Sequence, residues 1–217
     1  MQEKRISDNV IRRLPRYLRK LEELQKRGVE KVSSFELGRA LGLTASQIRQ
    51  DLNCFGEFGL QGYGYNVQML RERIAIILGM GRGYRAILIG VGNIGRSLID
   101  KFSFENWGYF LDCTFDVDPD IIGQVINGIQ VHDINVLPAY LSTNRVDVAV
   151  LCVSKDAAVD TARLLEKNGV KAIWNFTNVD VAGPESDLLV ENVHFSDSLL
   201  ALSYYLTQNA RNKDLNR

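Results

Sequence analysis

Apolar residues recur at three- and four-residue spacing near the start of the chain. This period predicts an amphipathic helix from Ser7 to about Gly28, with the glycine as its C-terminal stop. Pro15 falls inside this range, and an interior proline removes a backbone hydrogen bond. We therefore expect the well-formed helix to begin near Leu14. The apolar face of the predicted helix consists of Ile11, Leu14, Leu18, Leu21 and Leu24.

Two short helices with their own start signals follow. Ser33 and Glu36 have the spacing of a capping box, in which two side chains cap the first backbone N–H groups, and they predict a helix over Phe35–Leu41. Thr44 and Gln47 repeat this spacing and open the second helix. The turn between the helices contains glycine and has the length expected of a helix-turn-helix.

The two faces of the second helix differ in chemistry. Ile48, Leu52 and Phe55 are expected to pack against the first helix of the pair. The opposite face carries small, amide and guanidinium groups, which suit base edges and phosphates. We interpret the pair as a DNA-binding helix-turn-helix, although a helical hairpin in a larger bundle would show the same pattern. The candidate DNA-contacting residues of the two helices are Ser34, Thr44, Ala45, Ser46, Gln47, Arg49 and Gln50.

Glycines interleaved with aromatic residues occupy the stretch 58–65. The pattern suits a tight β-ribbon whose backbone approaches DNA closely, and it predicts the wing of a winged helix. Gln61, Gly62 and Tyr63 therefore join the candidate DNA contacts. Asn66 is expected to cap one more helix, whose apolar stripe should pack against another domain or subunit. That stripe consists of Val67, Leu70, Ile74 and Ile77.

A different pattern begins at the apolar stretch Tyr84–Ile89, which predicts a short buried strand. It leads directly into Gly90-Val91-Gly92-Asn93-Ile94-Gly95, a G-x-G-x-x-G motif, and then into a predicted helix. In this context Gly90 permits a tight turn, Gly92 lets a pyrophosphate reach the helix N-terminus, and Gly95 lets helix and strand pack closely. The motif predicts a Rossmann domain, an α/β fold with a doubly wound parallel sheet.

A second predicted strand, Phe110–Val117, contains an acidic residue close to its end. Asp116 lies 21 residues past Gly95, where its carboxylate can accept hydrogen bonds from both hydroxyls of an adenosine ribose. The negative charge repels a 2′-phosphate, so the sequence favours NAD(H) over NADP(H) as the bound nucleotide.

Strands and helices continue to alternate after this point. Val146–Val153 is almost entirely apolar, as a strand covered on both faces should be, and Asp156–Lys167 and Val170–Phe176 predict a helix and a further strand. Ligands bind such folds at the carboxyl ends of the strands. The candidate nucleotide contacts are Gly90, Val91, Gly92, Asn93, Ile94, Gly95, Asp116, Val117, Val153, Ser154, Asn175 and Phe176.

The last predicted helix is apolar on all sides. Ser196 is expected to cap it, and its apolar part runs over Asp197–Leu206. Because such a helix has to be buried on several faces, we expect it to insert into a partner subunit, which predicts a homodimer.

Charge is distributed unevenly along the chain. The net charge is zero, but residues 1–80 hold 14 Lys and Arg against 9 Asp and Glu, and the remaining 137 hold 12 against 17. This asymmetry suits a polyanion contact confined to the first third. With neither a signal peptide nor a membrane span in the sequence, we expect a cytoplasmic protein. Cys54, Cys113 and Cys152 lack metal-site spacing, so we expect reduced, buried and inert thiols and no metal.

Several motifs occur in a distinctive order along the chain. They are the run from Arg13 to Arg19, Ser33-Ser34 with Glu36-Leu37, and the stretches 48–52, 55–59, 62–65, 90–95, 115–117 and 175–177. In this order they resemble the Rex family of redox-sensing transcriptional repressors over essentially the whole length.

The resemblance implies a homodimer whose paired winged helices bind a palindromic, double-stranded operator when the NADH/NAD⁺ ratio is low. NADH binding would close the dimer and release the DNA, and the C-terminal helix would be exchanged between subunits. It further implies that Phe195 reaches the nicotinamide pocket of the partner subunit. Arg19 would couple the DNA-binding domain to an acidic residue near the exchanged helix.

Three positions depart from the family pattern. Gln50 and Gln61 stand where basic residues are common, which predicts weaker, less salt-dependent DNA binding or a somewhat different operator. His194 stands where the acidic partner of the coupling arginine is common, which leaves Asp197 as a substitute.

The predicted organisation is a winged-helix domain over residues 1–80, a Rossmann domain over 81–195, and an exchanged helix with a tail over 196–217. Two other functions stay open at this point. An NAD-dependent oxidoreductase would need an acid or base beside the nicotinamide, and the two histidines, His132 and His194, are poor candidates, so we expect no catalytic residue. A regulator responding to CoA or another nucleotide is the other alternative, which Asp116 disfavours.

Overall fold

The computed structural model of the protein describes residues 6–56 and 64–215. The chain divides into two compact units, Met1–Arg82 and Gly83–Arg217. In these described ranges no helix is both long and apolar enough to cross a membrane.

The first unit is built from four helices and a short two-stranded sheet. A common core joins Leu14, Leu18 and Leu21 of the predicted apolar face to residues of the helix-turn-helix. Tyr17 also belongs to this core, whereas Ile11 of the predicted face is exposed, which corrects the expectation for that residue. Ile48 and Leu52 pack there with Leu37, while Leu41 and Phe55 cover the edge of the core. The elements are α1 (Asp8–Lys26), β1 (Lys31–Val32), α2 (Ser34–Leu41), α3 (Ala45–Asn53), β2 (Tyr65–Asn66) and α4 (Val67–Ile77).

The first helix is continuous through Pro15, so the prediction of a start near Leu14 is wrong. Proline costs a helix one hydrogen bond, but tertiary contacts on both sides of it hold the backbone here. Val10 is buried one turn before the proline, and Arg13 forms an ion pair with α3. The expected stop at Gly28 is confirmed, because this glycine adopts a left-handed conformation just past the helix.

The apolar stripe of α4 packs within the first unit, which corrects the expectation of another domain or subunit. Val67, Leu70 and Ile74 belong to the core that α1 and the helix-turn-helix share. The predicted cap is present, since the Asn66 side chain accepts a hydrogen bond from the Met69 amide at 2.9 Å. The contact between α1 and α4 therefore completes the apolar core of the first unit.

The strand that follows α3 pairs with the strand that precedes the helix-turn-helix. Lys31 and Val32 of β1 lie opposite Asn66 and Tyr65 of β2 in an antiparallel pair. The rest of the predicted wing, with Gln61, Gly62 and Tyr63, lies outside the described residues.

One buried carboxylate ties α1 to α3. Asp51 of α3 accepts hydrogen bonds from Arg13 Nε and Nη2, at 2.6 and 2.7 Å, and another from the hydroxyl of Tyr17. Gln47, one turn earlier on α3, donates its side-chain N–H to the same carboxylate at 2.7 Å. Breaking a buried ion pair leaves an uncompensated charge, so this cluster strongly restrains how α3 lies against α1.

The second unit contains a seven-stranded sheet in the order β5-β6-β4-β3-β7-β8-β9, parallel except for β5 at one edge. Its six parallel strands follow the doubly wound Rossmann order, and helices connect β3 to β4, β6 to β7 and β7 to β8. The elements are β3 (Tyr84–Ile89), α5 (Asn93–Lys101), β4 (Tyr109–Asp116), β5 (Val125–Ile126), β6 (Ile129–Asp133), α6 (Leu137–Thr143), β7 (Val148–Leu151), α7 (Lys155–Lys167), β8 (Ala172–Asn175), β9 (Leu189–Asn192) and α8 (Phe195–Leu215).

The order of the strands reverses between β3 and β7. The connections that leave these two strands run in opposite directions, which opens a crevice at their carboxyl ends. The glycine-rich motif follows β3 and Ser154 follows β7, so both border this crevice. The topology therefore brings together motifs that lie about sixty residues apart in sequence.

The last helix, α8, begins one residue earlier than expected. Ser196 is not its cap: the helix starts at Phe195, and the hydroxyl of Ser196 bonds to the carboxylate of Asp197 instead of a backbone amide. Its apolar side chains are exposed on all sides within the single chain, where burial had been expected. Those side chains include Leu199, Leu200, Leu202, Tyr204, Tyr205 and Leu206, each more than half exposed.

The carboxylate cluster predicts how stability depends on pH. Burial alone would raise the pKa of Asp51, but hydrogen bonds from Arg13, Tyr17 and Gln47, with the charge of Arg13, outweigh it and lower the pKa. Because the folded-state pKa lies below the unfolded value of about 4, the stabilisation is present above that pH and lost as pH falls through the folded pKa.

We expect Asp51→Asn to lower the free energy of unfolding by about 2–3 kcal/mol at pH 7, since it leaves Arg13 without its partner. In urea denaturation followed by circular dichroism, this difference should shrink as the pH falls from 5 to 2. The exposed Glu23→Gln serves as control and should change stability by less than about 1 kcal/mol. A difference that stays constant down to pH 2 would contradict the assignment.

Candidate functional site

The turn of the helix-turn-helix is fixed by local hydrogen bonds and one close approach. The capping box at Ser33 and Glu36 is present with both of its bonds, and the Thr44 hydroxyl accepts from the Gln47 amide at 3.1 Å. A side chain at Gly38 would place its first carbon 2.6 Å from the carbonyl oxygen of Leu43. Only glycine lets the turn pack so closely on α2, a requirement that the sequence pattern did not single out.

The recognition helix α3 exposes the side predicted to face DNA. Ser46, Arg49 and Gln50 are exposed, and Ala45 and Gln47 are half-buried. Thr44, at the N-cap, is exposed as well. The face therefore offers hydroxyl, amide and guanidinium groups to a ligand, the set of groups that contacts base edges and phosphates.

Arg49 reaches back to α2 instead of extending freely. Its Nη1 atom donates a hydrogen bond to the hydroxyl of Ser34 at 3.0 Å. Ser34 and Arg49 were both predicted as DNA contacts, and the structure brings them together on one surface. A guanidinium held in place at one nitrogen keeps its other donors for a phosphate or a guanine edge.

Backbone packing accounts for two glycines of the G-x-G-x-x-G motif. Gly90 has φ +93°, and a side chain there would come within 2.6 Å of the Cys152 carbonyl group at the end of β7. At Gly95 a side chain would lie only 2.0 Å from the carbonyl oxygen of Gly90. These two glycines allow β3, its turn and α5 to pack in direct backbone contact.

Gly92 differs from its neighbours because nothing lies within 4 Å of where its side chain would stand. It occupies the N-cap of α5 and supplies no side-chain cap. The space beside Gly92 at the start of α5 is therefore open, and the partial positive charge of a helix start attracts a phosphate. Asn93 and Ile94 form the first turn of this helix, and both are exposed.

Asp116 organises the loops beside this helix start. Its carboxylate accepts from the Val91 amide at 2.5 Å, and from the amides of Val117 and Asp118 at 2.7 and 2.9 Å. An ionised carboxyl has about four acceptor positions, so one stays available for a ligand hydroxyl. The residue predicted from its spacing thus also holds the glycine loop against the end of β4.

The polar groups of Asn175 are committed to the protein. Its side-chain nitrogen donates to the oxygens of Val179 and Asn192, at 2.7 and 2.8 Å, and its side-chain oxygen accepts from the amide and hydroxyl of Thr177. Asn175 is 1% exposed. It shapes the loop after β8, and its side chain has no hydrogen bond left for a nucleotide.

Aromatic rings line the same end of the sheet. Phe176 is buried and packs edge-on against Trp174, with ring centroids 4.7 Å apart. Phe195, at the start of α8, lies 6.4 Å from Phe176 and is 57% exposed. Val153 is half-buried, and the exposed Ser154 makes no capping bond at the start of α7, so its hydroxyl stays available.

The residues proposed to couple the two functions lie in different units. Arg19 is exposed on α1, His194 is half-buried just before α8, and Asp197 is exposed in its first turn. Nothing in either unit by itself tests their coupling, which stays a prediction.

The cysteines differ in their surroundings. Burial raises the pKa of the Cys113 thiol to about 11 and that of the Cys152 thiol to about 12, as expected of inert thiols. Cys54 is exposed, so the expectation of burial is wrong for it. In residues 6–56 and 64–215, no group of three or more His, Cys, Asp and Glu side chains is arranged to hold a metal ion.

Two family models match the chain, one in each unit. Residues 5–53 match the family described as "Putative DNA-binding protein N-terminus". Residues 82–179 match the family described as "CoA binding domain". The first match covers the helix-turn-helix, and the second covers most of the Rossmann sheet.

Solved structures agree with the fold of the whole chain. RSP, a Rex-family repressor, superposes with a TM-score of 0.89 at 44% identity, over 99% of this chain and 100% of that one. RSP in complex with NAD⁺ and operator DNA gives 0.88 at 46% identity, over 98% of each chain. RSP in complex with NADH gives 0.89 at 44% identity, over 98% of this chain and 99% of that one.

Curated relatives match over nearly the whole length. The redox-sensing transcriptional repressor Rex of Clostridium botulinum is 50% identical over 200 residues, which cover 92% of this chain and 95% of the relative. The Clostridium beijerinckii protein of that name is 49% identical over 205 residues, 94% of this chain and 97% of the relative. The chain therefore belongs to the Rex family of redox-sensing transcriptional repressors, and it is a DNA-binding regulator rather than an NAD-dependent oxidoreductase.

Proposed function

We propose that the protein works in the cytoplasm as a homodimer that occupies a palindromic operator when the NADH/NAD⁺ ratio is low. NADH binding in the Rossmann unit then releases the operator. The observation that carries this proposal is that RSP, 44–46% identical over nearly its whole chain, has been solved with NADH and, separately, with NAD⁺ and operator DNA. The glycine loop and the exposed face of α3 supply the chemistry for both ligands.

The nucleotide would bind across the carboxyl ends of β3 and β7. Its pyrophosphate would lie at the open start of α5, beside Gly92 and the exposed Asn93. The remaining acceptor position of Asp116 would take a ribose hydroxyl. Phe176 forms an apolar wall at this end of the sheet, which suits an uncharged dihydronicotinamide ring better than a cationic one.

The description of the second family model raises CoA as another ligand. Asp116 opposes this reading, because its negative charge would repel a phosphate carried on the ribose that it is proposed to bind. CoA carries such a phosphate and NADH does not. Competition of CoA with bound NADH distinguishes the two ligands directly.

DNA would be contacted by the exposed face of α3 together with Ser34 on α2. Gln50 and Gln61 would add amide contacts where many relatives are expected to carry a positive charge. Each missing phosphate contact lowers the salt dependence of binding, so the slope of log affinity against log salt should be shallow.

Homodimerisation would bury α8. A helix with leucine and tyrosine side chains exposed on all sides is unstable in water unless a second chain covers it. Exchange of α8 between two subunits would supply that cover and would place Phe195 beside the partner's nucleotide. The coupling of Arg19 to Asp197 or His194 would then operate within the dimer.

The first prediction concerns nucleotide preference. NADH should bind more tightly than NAD⁺ by at least about tenfold, the size of a typical allosteric coupling, and NADPH should bind weakly. Fluorescence titration measures NADH and NADPH directly, and competition measures NAD⁺ and CoA. Equal affinities for NADH and NAD⁺ would contradict redox sensing.

The second prediction separates two glycines of the motif. Gly92→Ala should weaken NADH binding at least about tenfold while lowering the free energy of unfolding by no more than about 1 kcal/mol, since its side chain enters only the open space before α5. Gly95→Ala should lower the free energy of unfolding by about 1–3 kcal/mol, because its side chain collides with backbone. Isothermal titration and urea denaturation give the two readouts. Unimpaired NADH binding by Gly92→Ala would contradict the proposed position of the pyrophosphate at the start of α5.

The third prediction concerns the assembly. Leu200→Glu places a charge on α8 and should convert the dimer to monomers in sedimentation velocity. Val125→Glu is the control, because Val125 is similarly exposed but lies on β5, at the edge of the sheet opposite β9. A dimer that survives Leu200→Glu would exclude α8 as its interface.

A further inference from the structure

The side-chain amide of Gln47 has a fixed orientation. Its nitrogen lies 2.7 Å from Oδ1 of Asp51. An ionised carboxylate only accepts hydrogen bonds, so the nitrogen and not the oxygen of the amide must face it. The amide oxygen and the second N–H of Gln47 then point away from Asp51.

Asp51 cannot easily move to release this amide. Its carboxylate is 0% exposed and accepts four hydrogen bonds in all. Oδ2 is bound by Arg13 Nε and the Tyr17 hydroxyl, and Oδ1 is bound by Arg13 Nη2 and Gln47. All of its acceptor positions are filled, which leaves one orientation for the group.

The free side of the Gln47 amide is open to a ligand. Gln47 is half-buried and lines a groove between the start of α1 and α3. Ser46, Arg49 and Gln50 of the predicted DNA-contacting face line the same groove. An amide that presents one oxygen and one N–H side by side matches the N6 and N7 atoms of adenine in the major groove.

We propose that Asp51 is a positioning residue for DNA recognition, which holds the Gln47 amide in the orientation that reads an adenine. Arg13 of α1 fixes Asp51 in turn, because it binds both carboxylate oxygens, so the first helix contributes to base preference although its own side chains need not touch the bases. This inference rests on the proposed role of α3 as the recognition helix. It assigns one base pair in each half-site to Gln47.

Binding measurements on the full-length protein test the proposal. Selection from a randomised DNA library first defines the operator of the wild-type protein, and fluorescence anisotropy then gives its affinity for operators with each base pair changed in turn. Gln47→Ala should reduce the discrimination at one A·T pair per half-site from about tenfold or more to about twofold. Asp51→Asn should relax the same pair, and the double variant should relax it no further.

Tyr17→Phe is the matched control. It removes a hydrogen bond to Oδ2 of Asp51 but leaves the bond between Oδ1 and Gln47 intact. It should lower stability without changing any base preference. A purely structural role of the cluster would instead make Tyr17→Phe and Asp51→Asn weaken binding to all sequences by one common factor, and that outcome overturns the proposal.

A second measurement tests the proposal even if Asp51→Asn does not fold. In the wild-type protein, the side-chain amide signal of Gln47 in a ¹⁵N–¹H spectrum should show one proton protected from solvent exchange, unlike the signal of the exposed Gln50. Equal, rapid exchange of both Gln47 protons would overturn the fixed orientation. Failure of the proposed function is distinguishable from either result, because the wild-type protein would then select no operator at all.

Discussion

A buried carboxylate sets the geometry of the DNA-binding unit. Asp51 is inaccessible to water and yet charged, a state that is tolerable only because four donors surround it. Those donors come from α1 and from α3 itself, so the position of the recognition helix depends on the continuity of α1. This dependence explains why α1 remains helical through Pro15: the turn that supplies Arg13 lies before the proline and the turn that supplies Tyr17 lies after it.

The Rossmann unit depends on a constraint of a different kind, the absence of side-chain atoms. Gly90 and Gly95 let three backbone segments touch, and this close packing brings the start of α5 to the end of the sheet. The Asp116 carboxylate then holds the glycine loop by accepting a hydrogen bond from the Val91 amide. The proposed nucleotide site is therefore formed by packing within the protein, and Gly92 leaves it open. In both units a polar group that a ligand would meet is first held in place by the protein.

Features that depend on local sequence signals were predicted better than contacts between residues that are distant in the sequence. The capping box at Ser33, the N-cap at Thr44, the glycine motif and the spacing of Asp116 act over a few residues or a standard unit. The structure places these features as expected, except that the Gln47 side chain binds Asp51 and does not complete a second capping box. The pairing of Arg13 with Asp51 spans 38 residues, and no local pattern in the sequence links the two. The sequence placed Asn175 at the end of β8. It did not predict that the protein itself uses all the hydrogen bonds of this side chain, because several partners lie in a loop with no periodic pattern. The sequence predicted that a partner subunit buries α8, and this stays a prediction because the single chain leaves the helix exposed.

The redox state of a nucleotide bound in one unit controls the affinity of the other unit for DNA. Operator occupancy measured by fluorescence anisotropy, at constant total nucleotide and a varied NADH/NAD⁺ ratio, tests it most directly. The account predicts full occupancy when NAD⁺ dominates and release as the NADH fraction rises, and it predicts that NADPH has no such effect. Occupancy that does not change with the ratio, while NADH is shown to be bound, would contradict it.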